Sequence, residues 1–127
     1  MITEKVTVDN DYYAHTVHEL GRIIREGGLV AFPTETVYGL GGNALDGSAA
    51  KKIYAAKGRP SDNPLIVHVA DPSEVGKYVE TVSPLAEKLM KTFWPGPLTI
   101  VFPKKDIIPL ETSGGLPTIA IRCPRSE

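Results

Sequence analysis

The sequence predicts an α/β protein, because short apolar runs typical of strands alternate along the chain with segments of helical periodicity. Glycine and proline separate these segments, and neither an internal repeat nor a low-complexity tract interrupts them. The alternation favours an open sheet with flanking helices, and a partly mixed sheet is as compatible with it as a parallel one. A length of 127 residues suits a single domain.

Five segments have the apolar or alternating pattern of β-strands. They are residues 2–8, 29–32, 65–69, 98–102 and 118–122. The second is wholly apolar, which predicts a strand buried on both faces. In the third, alternation places His68 on the face of Ile66 and opposite to Val67. A histidine inside such a strand is most often satisfied by one carbonyl group.

The first helix is predicted over residues 13–26, where apolar residues fall at helical spacing and two glycines at 27–28 end the pattern. A second helix begins near Asp46 or Ser48, since either side chain can cap it. Gly58 stands where a left-handed residue would end that helix.

Two further helices are predicted where a capping residue precedes proline, at 71–72 and at 83–84. One face of the second carries Leu85, Leu89 and Phe93. A Trp-Pro-Gly-Pro segment ends it, because proline cannot continue a helix.

Composition excludes several classes of protein and site. The net charge is −1, so the chain as a whole gives no argument for a nucleic-acid-binding surface. A single cysteine, Cys123, excludes an internal disulfide and a multi-cysteine zinc site, and we interpret it as a small, partly buried apolar residue. The sequence shows no signal peptide and no apolar run near the roughly 20 residues of a membrane span. We therefore expect a cytoplasmic protein that has no membrane partner.

The most informative segment is residues 33–41, Pro-Thr-Glu-Thr-Val-Tyr-Gly-Leu-Gly, which directly follows an apolar strand. Hydroxyl groups, a carboxylate and bare glycine backbone suit a ligand-binding wall better than a core. Lys57 and Arg59 leave the second helix beside another polar loop, and paired cations suit polyphosphate oxygens. The alternative is that the Lys57 charge only stabilises the C-terminal end of the helix and that Arg59 is a solvated loop charge. We expect the bend at 33–41 and the cationic helix exit to line one nucleotide crevice.

Several motifs together resemble the YrdC/Sua5 family over nearly the whole chain. They are residues 33–41, Lys57-Gly58-Arg59-Pro60, Asn63-Pro64-Leu65, His68, Trp94-Pro95-Gly96-Pro97-Leu98-Thr99 and Ile121-Arg122. The resemblance implies a twisted, largely parallel or mixed α/β sheet with a concave basic surface. It also implies a nucleotidyltransferase that joins L-threonine, bicarbonate and ATP into L-threonylcarbamoyladenylate and pyrophosphate. That product would supply N6-threonylcarbamoyladenosine at tRNA position 37, so tRNA and downstream transfer proteins are expected partners, and double-stranded RNA binding is expected as well.

The resemblance also assigns site residues. It implies threonine contacts from Thr36, His68 and Arg122, with Arg122 pairing with the carboxylate. The implied ATP contacts are Lys57, Arg59, Asn63 and Thr118. Lys57 and Arg59 would stabilise phosphate charge, Mg²⁺ is expected to accompany ATP, and no residue acts as a nucleophile or as a metal ligand.

Members of that family continue beyond an Arg-x-Pro segment to a Ser-x-Asn element, which this sequence lacks after Pro124. We therefore expect residues 1–127 to be the N-terminal portion of such a domain, to bind ATP weakly and to make little product alone. A bare sheet edge or apolar face would then favour self-association. Two alternatives remain: an RNA-binding module of the same fold, and a carbamoyl-transfer domain like those of hydrogenase maturation proteins.

Overall fold

The computed structural model describes residues 13–32, 39–58 and 64–124. The described helices and strands are, in chain order, α1 Tyr13–Arg25, β1 Val30–Phe32, β2 Gly39–Gly41, α2 Gly47–Lys57, β3 Ile66–His68, a 3₁₀ helix Pro72–Lys77, α3 Pro84–Phe93, β4 Thr99–Pro103, α4 Leu110–Ser113 and β5 Thr118–Arg122. The strand expected at residues 2–8 lies outside the described residues. None of the described helices combines the length and the apolar character that crossing a membrane requires.

Local capping signals placed the helices correctly. The Asp46 carboxylate accepts the backbone N–H of Ser48 at 2.9 Å, which satisfies an orphan donor at the start of α2. Gly58 ends that helix in the left-handed conformation, with φ of 63°. Asp71 and Ser83 cap the 3₁₀ helix and α3 in the same way. The predicted starts of these three helices are therefore confirmed.

The described strands form two sheets. β1 and β2 make an antiparallel pair, whereas β3, β5 and β4 make a three-stranded sheet with β5 in the centre. β5 runs parallel to β3 and antiparallel to β4. The α/β class is confirmed, and the second sheet is mixed, as the alternation of elements allowed. Within the described residues, the only parallel pair is that of β3 and β5, so the largely parallel form is not what the structure has.

One face of the three-stranded sheet packs on the hydrophobic core. Its inward side chains alternate along each strand, and they are Val67, Phe102, Ile119 and Ile121. The residues that cover them come from the 3₁₀ helix, α3 and the following loops, and they include Val75, Val79, Met90, Trp94 and Ile108. The opposite face is thereby left for a site.

The expectation that the apolar run at 29–32 is buried on both faces was wrong, and the structure also shows which face of α3 meets the core. Ala31 of β1 is exposed, so the apolar run at 29–32 is not buried on both faces. On α3, Leu85 and Phe93 are 68% and 54% exposed, because the helix lies on the core through Ala86 and Met90 instead. Hydrophobic spacing identifies a helical face, but it does not say which neighbouring face meets the sheet.

Candidate functional site

The side of β5 that faces away from the core carries the candidate site. Ile119 and Ile121 are almost fully buried, and Thr118, Ala120 and Arg122, which alternate with them, are partly exposed. Thr118 and Arg122 thus lie on one face of one strand. They are four positions apart, which corresponds to roughly 13 Å along the strand. They can therefore contact one extended ligand, or two different ligands, but not the same small group.

A polar row crosses the sheet at the Arg122 end of this face. His68 of β3 is the register partner of Arg122 in the parallel pair. Thr99 of β4 is its register partner in the antiparallel pair. The Arg122 guanidinium donates to the Thr99 hydroxyl oxygen from Nε at 3.0 Å and from Nη2 at 2.7 Å. The structure therefore brings together His68 and Arg122, two of the three residues for which the family resemblance implies a threonine contact.

His68 is kept neutral by its surroundings. Partial burial lowers its pKa from the ordinary value of 6.5, and the nearby positive charge of Arg122 acts in the same direction. Its Nδ1 lies 3.2 Å from the carbonyl oxygen of Ile66, a contact that opposes this shift. The carbonyl expected for this histidine is therefore present. Arg122 with a neutral imidazole presents one net positive charge, which suits a carboxylate.

The middle of the face is apolar. Ile66 and Val101 flank Ala120 on the two neighbouring strands, and they are 40% and 63% exposed. At the far end Thr118 pairs with Pro103. The face thus runs from a cationic row, across an apolar row, to the Thr118 hydroxyl. Such a mixture suits a ligand with both charged and apolar parts.

The Trp94–Thr99 segment fixes the polar row from one side. The Trp94 indole donates from Nε1 to the Leu98 carbonyl oxygen at 2.8 Å. The Gly96 backbone N–H donates to the carbonyl of Cys123 at 2.9 Å, directly after the end of β5. Sequence reasoning gave Thr99 no role, although it closes the Trp-Pro-Gly-Pro-Leu-Thr motif.

Lys57 lies exposed in the last turn of α2, on a helix that is tied to the same sheet through α4. The Tyr54 hydroxyl donates to the Glu111 carbonyl oxygen at 3.0 Å. The backbone carbonyl oxygen of the next residue, Thr112, accepts a hydrogen bond from the backbone N–H of Leu65 at 3.1 Å, just before β3. α2 therefore has a defined position relative to the strand that carries His68.

The other assigned residues are not located by the structure. Thr36, Arg59 and Asn63 lie outside the described residues, so the single crevice expected between residues 33–41 and the helix exit stays a prediction. Gly39–Gly41, the end of that polar segment, forms strand β2. Within the described part of the chain, no three His, Cys, Asp or Glu side chains are grouped so that they could hold a metal ion.

Comparison with known proteins identifies the family. The family model Sua5/YciO/YrdC, described as "Telomere recombination", matches residues 22–127. The threonylcarbamoyl-AMP synthase of Pyrococcus abyssi is 57% identical over 104 residues, which are 82% of this chain and 31% of that protein. The enzyme of the same name from Bacillus subtilis is 48% identical over 97% of this chain and 35% of its own.

A solved structure agrees in fold. The crystal structure of P. abyssi Sua5 complexed with L-threonine superposes with a TM-score of 0.83 at 48% identity, covering 97% of this chain and 34% of that one. The chain thus spans about a third of the length of the two curated relatives named above. The motifs, the fold and the sequence identity agree, and the chain belongs to the Sua5/YciO/YrdC family.

Proposed function

We propose that this chain takes part in the synthesis of L-threonylcarbamoyladenylate and pyrophosphate from L-threonine, bicarbonate and ATP, which is a nucleotidyltransferase reaction. The observation that carries the proposal is the row of His68, Arg122 and Thr99 on the open face of the sheet. The shared name of the relatives supports the reaction, and the L-threonine in the related crystal structure supports the substrate.

Arg122 is the proposed partner of the threonine carboxylate. A guanidinium can donate two parallel hydrogen bonds to a carboxylate, and partial burial strengthens such a pair. His68 stands beside it and is neutral near pH 7, so it adds no second charge to repel the substrate ammonium group. Thr36 is proposed as the third threonine contact, from the family resemblance.

The reaction requires positioning more than protein nucleophiles. The threonine amine adds to the carbon of bicarbonate, forming a carbamate with loss of water. A carbamate oxygen then attacks the α-phosphorus of ATP, and the bond to the β-phosphate breaks to release pyrophosphate. Orienting the reactants can supply roughly 7–11 kcal/mol of the barrier reduction.

The ATP contacts are proposed at Lys57, Arg59, Asn63 and Thr118. Lys57 and Arg59 would balance the charge of the phosphates. Thr118 lies on the Arg122 face, at the other end of β5, where an extended nucleotide would reach it. Mg²⁺ with ATP, delivery of the product to tRNA position 37, RNA binding and a cytoplasmic location stay predictions.

The test is product formation by a complete domain of this family that contains residues 1–127, followed by mass spectrometry of the adenylate and by pyrophosphate release, because the 127-residue chain alone is expected to make little product. Product that needs threonine, bicarbonate and ATP together supports the proposal, and the change Arg59→Ala should then raise the KM for ATP. Thr36→Ala should instead weaken threonine selection. Equal losses for both substrates in both variants would mean that the roles are misassigned.

The two alternative functions have their own signatures. A carbamoyl-transfer domain would accept carbamoyl phosphate in place of threonine and bicarbonate. An RNA-binding module would bind RNA with a steep salt dependence and would release no pyrophosphate. Calorimetry with ATP tests the expected weak nucleotide binding of this chain, which a micromolar affinity would contradict.

A further inference from the structure

Thr99 occupies one complete edge of the Arg122 guanidinium. Nε and Nη2 lie on the same edge of the planar group, and both donate to the single oxygen Oγ1 of Thr99. A carboxylate therefore cannot use that edge without displacing the threonine hydroxyl. Among the described residues, Nη1 has no hydrogen-bond partner.

We propose that Thr99 is a positioning residue that turns the outer edge of Arg122, formed by Nη1 and Nη2, toward the substrate carboxylate. This inference rests on the proposed role of Arg122 in binding threonine. The planar guanidinium holds its donors in a rigid fork, so fixing one edge also fixes the direction of the other. A long side chain is thereby ordered before the substrate arrives, which lowers the entropy cost of binding.

The Trp94–Thr99 segment explains how Thr99 is held. Trp94 is buried, and its indole fixes the Leu98 carbonyl next to Thr99. Gly96 is bonded to Cys123, which follows Arg122 directly in the chain. The loop that delivers Thr99 is thus attached to the strand that carries Arg122. The Trp94–Thr99 segment therefore holds the Thr99 side chain at a fixed position against the Arg122 side chain.

A purely structural role fits Thr99 less well. It is partly exposed and belongs to the face of the sheet that lies away from the core. Valine has nearly the same shape and suits a strand equally well, so packing alone would accept it. What valine lacks is the oxygen that accepts from Arg122.

The experiment compares two ligands by calorimetry with the 127-residue chain. L-Threonine carries the carboxylate, whereas L-threoninol has a hydroxymethyl group in its place. Thr99→Val removes the two hydrogen bonds that hold the Arg122 guanidinium and is expected to weaken threonine binding about tenfold. Binding of threoninol, which has no carboxylate, is expected to stay unchanged. Thr99→Ser keeps the hydroxyl and should bind both ligands like the original chain. Thr92→Val on α3, which lies across the core, is the matched control.

The outcomes separate this inference from the proposed function. If the unaltered chain binds no threonine, the proposed function fails for this chain and the inference fails with it. If the chain binds threonine but Thr99→Val binds it equally well, only the inference is overturned. If Thr99→Val weakens threonine and threoninol by the same factor, or if Thr99→Ser does not restore binding, Thr99 is a general structural residue and the inference is also wrong.

Discussion

His68 and Arg122 lie directly opposite each other on the parallel strands β3 and β5, although they are far apart in the sequence. Partial burial lowers the pKa of His68, and the Arg122 charge lowers it further. A neutral imidazole and a permanent cation are thus held side by side. Charge and geometry at this pair can be tested separately.

The first prediction concerns stability against pH. The unfolded chain takes up the His68 proton near its ordinary pKa of 6.5, and the folded chain takes it up only at a lower pH. Between these two values the unfolded state binds more protons, so the free energy of unfolding falls as the pH falls. Above pH 6.5 His68 is neutral in both the folded and the unfolded chain, so the stability that comes from its lowered pKa is fully present there. Urea unfolding from pH 7.5 down to 5 should show the fall, and His68→Asn should reduce its slope.

The same pair makes a prediction for NMR. Titration of the His68 ring protons should give a pKa below 6.5 in the folded chain. Arg122→Gln removes the positive charge and should raise that pKa, whereas Arg122→Lys keeps the charge and should leave it low. A His68 pKa that is the same in all three proteins would contradict the charge interaction.

The second prediction concerns threonine binding. Arg122→Lys loses the planar fork while it keeps the charge, so threonine affinity should fall about tenfold or more. Calorimetry with threonine measures this directly. Arg25→Lys, in the last turn of α1, is the matched control and should bind threonine normally. Equal affinity in Arg122→Lys would mean that charge alone accounts for any contribution of Arg122.

The third prediction concerns the Trp94–Thr99 segment. A Cβ atom at Gly96 would stand 2.6 Å from the carbonyl oxygen of Phe93, closer than such atoms can approach. Gly96→Ala should therefore lower the free energy of unfolding by about 1–3 kcal/mol. Gly76→Ala, where a Cβ atom meets nothing within 4 Å, should change it by about 0.5 kcal/mol or less. Denaturant melts of the two variants make the comparison, and equal stability would show that this close approach does not exist.

The fourth prediction concerns Cys123. Cys123 is 1% exposed, and this burial raises the pKa of its thiol. The negative charges of Asp71 and Glu74 raise that pKa further. Little reactive thiolate forms at pH 8, and the sulfur is out of reach. Iodoacetamide should label the folded chain slowly and the urea-unfolded chain quickly. An exposed cysteine introduced as Thr81→Cys in a Cys123→Ala background gives the fast folded reference, and equal rates for Cys123 would contradict its burial.

Sequence reasoning succeeded where the cause is local. Asp46 and Gly58 mark the two ends of α2, and both could be predicted because a capping side chain and a left-handed glycine act within one turn. It missed β2, since glycine is a poor strand former and Gly39–Gly41 forms a strand only by pairing with β1. It also missed α4, a four-residue helix whose start has no side-chain cap.

The sequence by itself determined the α/β class, the starts of α2, the 3₁₀ helix and α3, the face of β3 that His68 shares with Ile66, and, through its motifs, the family. These depend on alternation, on capping and on residue identity, which act over a few neighbouring positions. Only the tertiary structure decided that α3 turns Leu85 outward and that His68 and Thr99 meet Arg122 from two sides. Those outcomes depend on strand register and on how faces pack, which are set by the free energy of the whole core.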